Sequence, residues 1–307
     1  MRQFILVAVI VWLFFIFCNA EVIAQPDSVA QNKSFRPGRF TAVALTESAI
    51  ATTTLIGLNE LWYKDYPRSS FHFFNDNAEW FQVDKLGHAY TSYQVGKLGY
   101  AALRWSGVKE NKSIWYGGAT GLAYQLIVEM LDGYSTGWGF STGDFAANIG
   151  GAALFTSQQL LWHEQRILMK FSYQYTPYAE YRPETLGSNA AERLLKDYNG
   201  QTYWLSASPG AFMKDNNKFP PWLCFSVGMG AKGMLGARDN DPAPFNCPND
   251  LRNRIMYLSM DLDLSKIPVK SKFWHTVLSV VNTLKVPFPG LAYNLTRNHL
   301  DGEWISM

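Results

Sequence analysis

The stretch Glu129–Gly151, EMLDGYSTGWGFSTGDFAANIGG, decides how the first half of the chain folds. It contains Gly-x-Ser-x-Gly twice, around Ser135 and Ser141, the pattern of a serine-hydrolase nucleophile elbow. An elbow needs a strand before the serine and a helix after it. The residues before this stretch, KSIWYGGATGLAYQLIVEML, have helical spacing, so half of that context fails for both serines. Ser135 then belongs to a glycine-rich turn. Ser141, with Asp144 three residues on and an apolar run beyond, reads as the capping box of a following helix. The expectation is a helix ending near Asp132, a turn, and a second helix starting at Ser141.

Outward from that turn, two more segments complete a helical half. TAVALTESAIATTTLIGLNELWYKDY has the length and apolarity of a helix, DKLGHAYTSYQVGKLGYAALRW is another, and the helix opened by Ser141 is expected to run through QRILMKF. Their apolar stretches reach about 16 to 18 residues and carry carboxylates or amides, short of the roughly 20 apolar residues a bilayer asks for. Gly117 and Gly121, and Ala147 and Gly151, are small residues four apart that let helix backbones approach closely.

Projected on these helices, the polar residues form stripes. Asp84 and His88 share a face, with Lys85 beside them. Gln125, Glu129 and Asp132 make a line with Gly121, and Asp144 and Asn148 repeat the scheme with Gly151 on the next helix. On helices this apolar, such stripes face one another or a cleft. Burying Asp84, Glu129, Asp132 and Asp144 together requires compensation, because like charges and desolvation both penalise the ionised forms. His88 as an imidazolium, Lys85 turned inward, or a divalent metal held by His88, Glu129, Asp132 and Asp144 are the candidates. The paired Glu-x-x-His motifs of di-iron bundles are missing. A satisfied structural network is the plain alternative, and His88 as an acid or base oriented by a carboxylate is a third reading.

Beyond residue 170 the pattern changes to strands. KDYNGQTYWLS is a turn leading into a short strand, CFSVGMGAKGML alternates apolar with small residues, and RIMYLSMDLDLSKI alternates fully. Met256, Leu258, Met260, Leu262 and Leu264 fall on one face, and Tyr257, Ser259, Asp261 and Asp263 on the other. SKFWHTVLSVVNTLKV returns to helical spacing. The fold class expected is mainly α: a compact bundle of about four glycine-containing helices with a polar inner site, followed by a mixed α+β part with a few antiparallel strands. Its divisions are a signal peptide at 1–24, a linker at 25–40, a helical domain at 41–170 and a strand-containing region at 171–307.

The signal peptide rests on Arg2 before an unbroken apolar run that closes on small residues. Cys18 follows Phe17, which does not suit lipoprotein processing. Removal of the leader leaves Cys224 and Cys247 as a candidate disulfide, which by loop entropy would contribute about 3 kcal/mol. The net charge of +2 gives no basic stripe for nucleic acid. The 11 Trp and 16 Tyr, against 17% charged residues, favour membrane interfaces and lipid or carbohydrate clefts.

The ordered set Asp84-Lys85-x-x-His88, Glu129-x-x-Asp132 and Ser141-x-x-Asp144-x-x-x-Asn148-x-x-Gly151 resembles the YfiM-type family of predicted periplasmic lipoproteins, domain of unknown function 2279. The later stretches KDYNGQTYWLS and PPWLCFSVGMGAKGML look like those of its longer envelope members, and the polar order is distantly similar to VanZ-like membrane proteins. The resemblance implies an exported protein in the periplasm or on the periplasmic face of a Gram-negative outer membrane, with a shared polar helical site and no established reaction. Membrane lipid or envelope proteins are the expected partners, at a site for a small ligand or partner. A hydrolase or transferase acting on a lipid or cell-wall precursor and an assembly component are the alternatives.

Overall fold

The computed structural model describes residues 34–64, 66–213, 219–240 and 252–305. The expected signal peptide, Cys18 and Cys247 lie outside them. Two compact units are present. The first gathers the described residues up to Asn75 with Thr91–Gln165 and Pro268–Val281; the second gathers Asp76–Tyr90, Arg166–Ile267 and the described residues from Asn282 onward.

Helix α1, Pro37–Leu58, starts inside the stretch expected to be linker, because Pro37 occupies the first helical turn, where its missing N–H costs nothing. A π-helical turn, Asn59–Tyr63, prolongs it. The resulting 27 residues are long and apolar enough, by length and composition, to cross a membrane, and only 6% of the most apolar window is buried. Helices α2 (Val83–Trp105), α3 (Glu110–Gly133) and α4 (Thr142–Trp162) follow. In the first unit, a Cβ on Gly117 of α3 would come within 2.7 Å of Gly96 O and Tyr100 N on α2, and one on Gly121 would collide with Ser92 O. A larger residue at either position would force these helices apart.

Helix α4 ends at Trp162, earlier than expected, with His163 in the left-handed region at φ 57° as its C-cap. The run ILMKFSY is strand β1 (Ile167–Tyr173) instead of the helix's last turns. Short helices α5 (Pro183–Leu186) and α6 (Ala190–Lys196) precede β2 (Gln201–Ala207) and β3 (Leu223–Lys232). Then come β4 (Asn253–Leu262), α7 (Lys272–Val281), β5 (Phe288–Asn294) and β6 (His299–Ile305). The helical part is thus followed by one antiparallel sheet of six strands in the order β1-β2-β3-β4-β5-β6, more than the few expected. Lys170 and Ser172 conceal β1 in the sequence, and Pro289, Gly290 and Gly302 conceal β5 and β6.

The sheet curls. The chain entering β5 runs beside β1, where the Phe171 N–H donates to Thr283 O and the Lys285 N–H to Phe171 O. The inner side holds Trp204, Ile255, Tyr257, Ala292 and Ile305 as an apolar core, each large side chain contributing about 1.5–3 kcal/mol by burial. Gly228 makes room for Trp204, since a Cβ there would lie 2.5 Å from the indole. Alongside this core the same side buries Lys170, Ser172, Ser206, Ser226, Ser259 and Asp261. The alternation in β4 therefore resolves with the polar row inward and Leu258 and Met260 exposed.

Candidate functional site

Helices α3 and α4 of the first unit are joined by the turn that carries both Gly-x-Ser-x-Gly patterns. Residues 66–74 lace that turn: His72 N–H donates to Gly133 O, Phe140 N–H to His72 O, and Phe74 N–H to Phe140 O. Trp138 packs edge-on against Tyr63 and Tyr66. Ser135 is buried, its Oγ accepting the Gly137 N–H at 3.2 Å. It closes a turn and is not presented to a substrate.

Ser141 is the N-cap of α4, its Oγ accepting the Asp144 N–H at 3.0 Å. The reciprocal bond departs from the expected box. The Ser141 N–H donates to Glu129 Oε2 at 3.0 Å, so the carboxylate that completes the cap comes from the preceding helix and Asp144 is left to other work. Glu129 is 1% exposed and Asp144 is also buried. One carboxylate oxygen of Glu129 and one of Asp144 lie within 4.8 Å of each other. One turn away, Gln125 Nε2 donates to Asn148 Oδ1 at 3.2 Å. Asp132 accepts the Tyr63 hydroxyl at 2.8 Å, an aromatic partner that no helical periodicity could have named. Five of the residues picked from the sequence therefore form one set in this unit, Gln125, Glu129, Ser141, Asp144 and Asn148, with Asp132 beside them and bonded to Tyr63.

The remaining three, Asp84, Lys85 and His88, occupy the first turns of α2 and belong to the second unit. Lys85 does compensate a buried acid, but it does so with a residue the stripes did not include: Nζ lies 2.8 Å from Asp76 Oδ1 and 3.3 Å from Asp84 Oδ2. Asp84 Oδ1 is buried with no hydrogen-bond partner among the described residues. Burial pushes its carboxyl up to about 6, against the pull of Lys85 and with a further push from Asp76. The favourable field at a helix N-terminus, worth about 0.3–1 kcal/mol, does not outweigh that desolvation.

The approach to this turn is strained. Trp80, Phe81 and Gln82 all have positive φ, at 46°, 51° and 61°, a conformation costing about 1–2 kcal/mol per non-glycine residue. The second unit holds it in place. The Trp80 N–H donates to Ala237 O at 2.7 Å, the guanidinium groups of Arg252 and Arg254 lie 5.2 and 5.3 Å from the centre of the Phe81 ring, and Arg254 bonds Gln82. Without this clamp the chain would not enter α2 at Asp84 in its present direction.

Of the expected disulfide, Cys224 is buried on β3 and carries a free thiol among the described residues, while Cys247 lies outside them. Another feature escaped the sequence reading. Asp261 is sealed in the sheet with Lys170 Nζ at 3.0 Å and Lys285 Nζ at 3.9 Å, and it accepts the Ser206 hydroxyl and the Val286 N–H.

A helix–turn–helix with paired buried carboxylates, in a chain that also carries an antiparallel sheet, defines the class of protein in structural terms. Residues 70–159 match the model of the family described as predicted periplasmic lipoprotein (DUF2279). All eight residues of the expected polar cluster fall inside that span. Over those residues the chain is similar to this family, a similarity to VanZ-like proteins is not shown, and the family's description agrees with an exported, periplasmic location. No curated protein and no solved structure matches the chain.

Proposed function

We propose that this is a cell-envelope protein, associated with membrane on the periplasmic side, whose helical part forms a bundle around a polar site for a ligand or partner group. The observation that carries the reading is the Glu129–Asp144 pair: two buried carboxylates on consecutive helices, with oxygens within 4.8 Å. Two ionised carboxylates that close repel, and they are stable together only with a proton, a cation or hydrogen-bond donors between them. The cap geometry fixes both, Glu129 through the Ser141 N–H and Asp144 through the first turn of α4, so the pair is organised before anything binds. Oxygen donors suit a hard divalent cation, or failing that a cationic group on a partner. Membrane association is supported by the exposed apolar length of α1 with its π turn and by the aromatic load of the chain.

The test is thermal unfolding of the mature protein and of Glu129→Gln with Mg²⁺, Ca²⁺, Mn²⁺ or Zn²⁺ added singly. A cation at about a hundred times its Kd adds about 2.7 kcal/mol of stability. Wild type is expected to gain Tm with at least one of them, while Glu129→Gln, which keeps an acceptor for the Ser141 N–H, loses the response. Identical curves for both proteins with every cation would overturn the cation reading. Recovery of the protein in the soluble periplasmic fraction, with no change on adding detergent, would overturn membrane association.

A further inference from the structure

The outer side of the sheet is the reverse of what water dictates, and the inner side mixes an apolar core with a buried polar row. Antiparallel sheets in water turn their apolar row to the core and their polar row out. Here the inward row includes Ser206, Ser226, Ser259, Asp261 and Lys170, all buried. On the outward side, the strand register pairs Leu205 with Val227, Val227 with Leu258, and Leu258 with Leu291. This makes one unbroken aliphatic line across four strands. Val227 is 50% exposed, Leu258 51%, and the other two nearly as much. Aromatic side chains border the line on either side. Tyr293 stands one step toward the β5 terminus and Phe225 and Trp304 one step the other way, with Trp304 66% exposed. Along β2–β6 the only charged residue on this side is Arg254, at the start of β4.

Apolar-out and polar-in alternation with aromatic margins is the pattern of sheet that faces lipid. We propose that this outer face sits in one leaflet of a lipid bilayer, its aliphatic line among the acyl chains and Tyr293 and Trp304 near the headgroups. The proposal rests on the membrane association proposed above and names the surface responsible. Depth favours one leaflet. The three rows from Tyr293 to Trp304 span four residues of strand, about 13 Å at the usual rise, against a hydrocarbon core about 30 Å thick. Curvature favours lipid over a second copy. The sheet curls around its inner side, so the apolar face is convex, and two convex faces cover each other only along a narrow contact while acyl chains conform to the whole of one.

The experiment uses the mature protein and vesicles of phosphatidylethanolamine and phosphatidylglycerol, with flotation and with brominated acyl chains as fluorescence quenchers. Wild type is expected to float, the double variant Val227→Asp/Leu258→Asp to float at least tenfold less, and Leu161→Asp, at an exposed apolar residue of α4, to float as wild type does. Trp304→Phe, which leaves the fold intact, is expected to lose a bromine-quenched part of the tryptophan emission, and this measurement decides the matter if the double variant does not fold. Floating wild type together with unchanged flotation of the folded double variant, or unchanged quenching in Trp304→Phe, overturns the proposal and leaves membrane association standing. Wild type that never floats overturns both. A dimer that the double variant converts to monomer, with no quenching at Trp304, assigns the face to a second copy and overturns the proposal as well.

Discussion

In the first unit Glu129 is buried against the turn that starts α4 and takes a backbone N–H from Ser141, whereas in the second Asp261 is buried in the sheet beside Lys170 and Lys285. The two acids are about equally sealed, yet their surroundings differ in kind. Asp261 has two ammonium groups for one carboxylate, and those lysines spend their other protons on the carbonyls of Leu262, Met260 and Val286. Its charge is consumed by the fold. Glu129 takes a neutral backbone donor, the Ser141 N–H, and has another carboxylate, Asp144, close by. A buried carboxylate set between ammonium groups of its own unit serves the fold, while one held by a backbone donor beside a second carboxylate is the arrangement proposed above for a ligand.

That contrast is most exposed to test at Asp261. Asp261→Ala leaves two lysines buried without their counter-charge, and breaking a buried pair from one side costs about 3–5 kcal/mol. Urea denaturation followed through the strand circular dichroism signal should show a loss of that size. A cost under about 1 kcal/mol, the range of a solvent-exposed pair, would mean that water reaches the lysines and that the two units do not differ in this way.

The next effect is a pH dependence at Asp84. Its folded pKa, about 6, lies above the ordinary carboxylate value of 3.8 because burial disfavours the charge. Between those values the folded protein holds a proton that the unfolded chain releases, so unfolding sheds protons and stability falls as pH rises. The contribution is complete below about pH 4 and gone above about pH 6, a difference of about 3 kcal/mol at 1.36 kcal/mol per unit. Asp84→Asn should flatten the dependence of the denaturation midpoint between pH 4 and 7. An unchanged slope in that variant would locate the titrating group elsewhere, Glu79 and Asp197 being two further carboxyls of this unit raised by burial.

The same physical distinction explains which parts of the molecule were legible from sequence. Helix periodicity placed Gln125, Glu129, Asp144 and Asn148 on facing stripes, and small residues at 117 and 121 announced a close helix contact, because both signals are local and the spacing carries them. The partners of the acids were not legible. Tyr63 reaches Asp132 across 69 residues, and Asp76 joins Lys85 from a loop without period. The sheet was half legible. The alternation in RIMYLSMDLDL revealed a strand, but a period of two does not say which side is wet, and the direction emerged only when Asp261 met Lys170 and Lys285. β1 stayed hidden because its lysine and serine point inward, a placement that the usual rule reverses.

The smallest effect is expected at Ser141, and it separates the two bonds that meet there. Ser141→Ala removes the Oγ that accepts the Asp144 N–H but keeps the backbone N–H that Glu129 accepts. Loss of a serine N-cap costs about 1 kcal/mol. If the cap and the carboxylate pair are separate devices, the variant should lose about that much stability while any cation response of the wild type persists. Isothermal titration of Ser141→Ala beside wild type, with the cation that shifts the Tm most, compares them directly. A variant that keeps its stability but loses the response would show that Asp144 is aimed by the Ser141 hydroxyl more than by α4 itself. The cap would then belong to the site, and the likeness of GFSTGD to a nucleophile motif would come from a serine that positions a carboxylate.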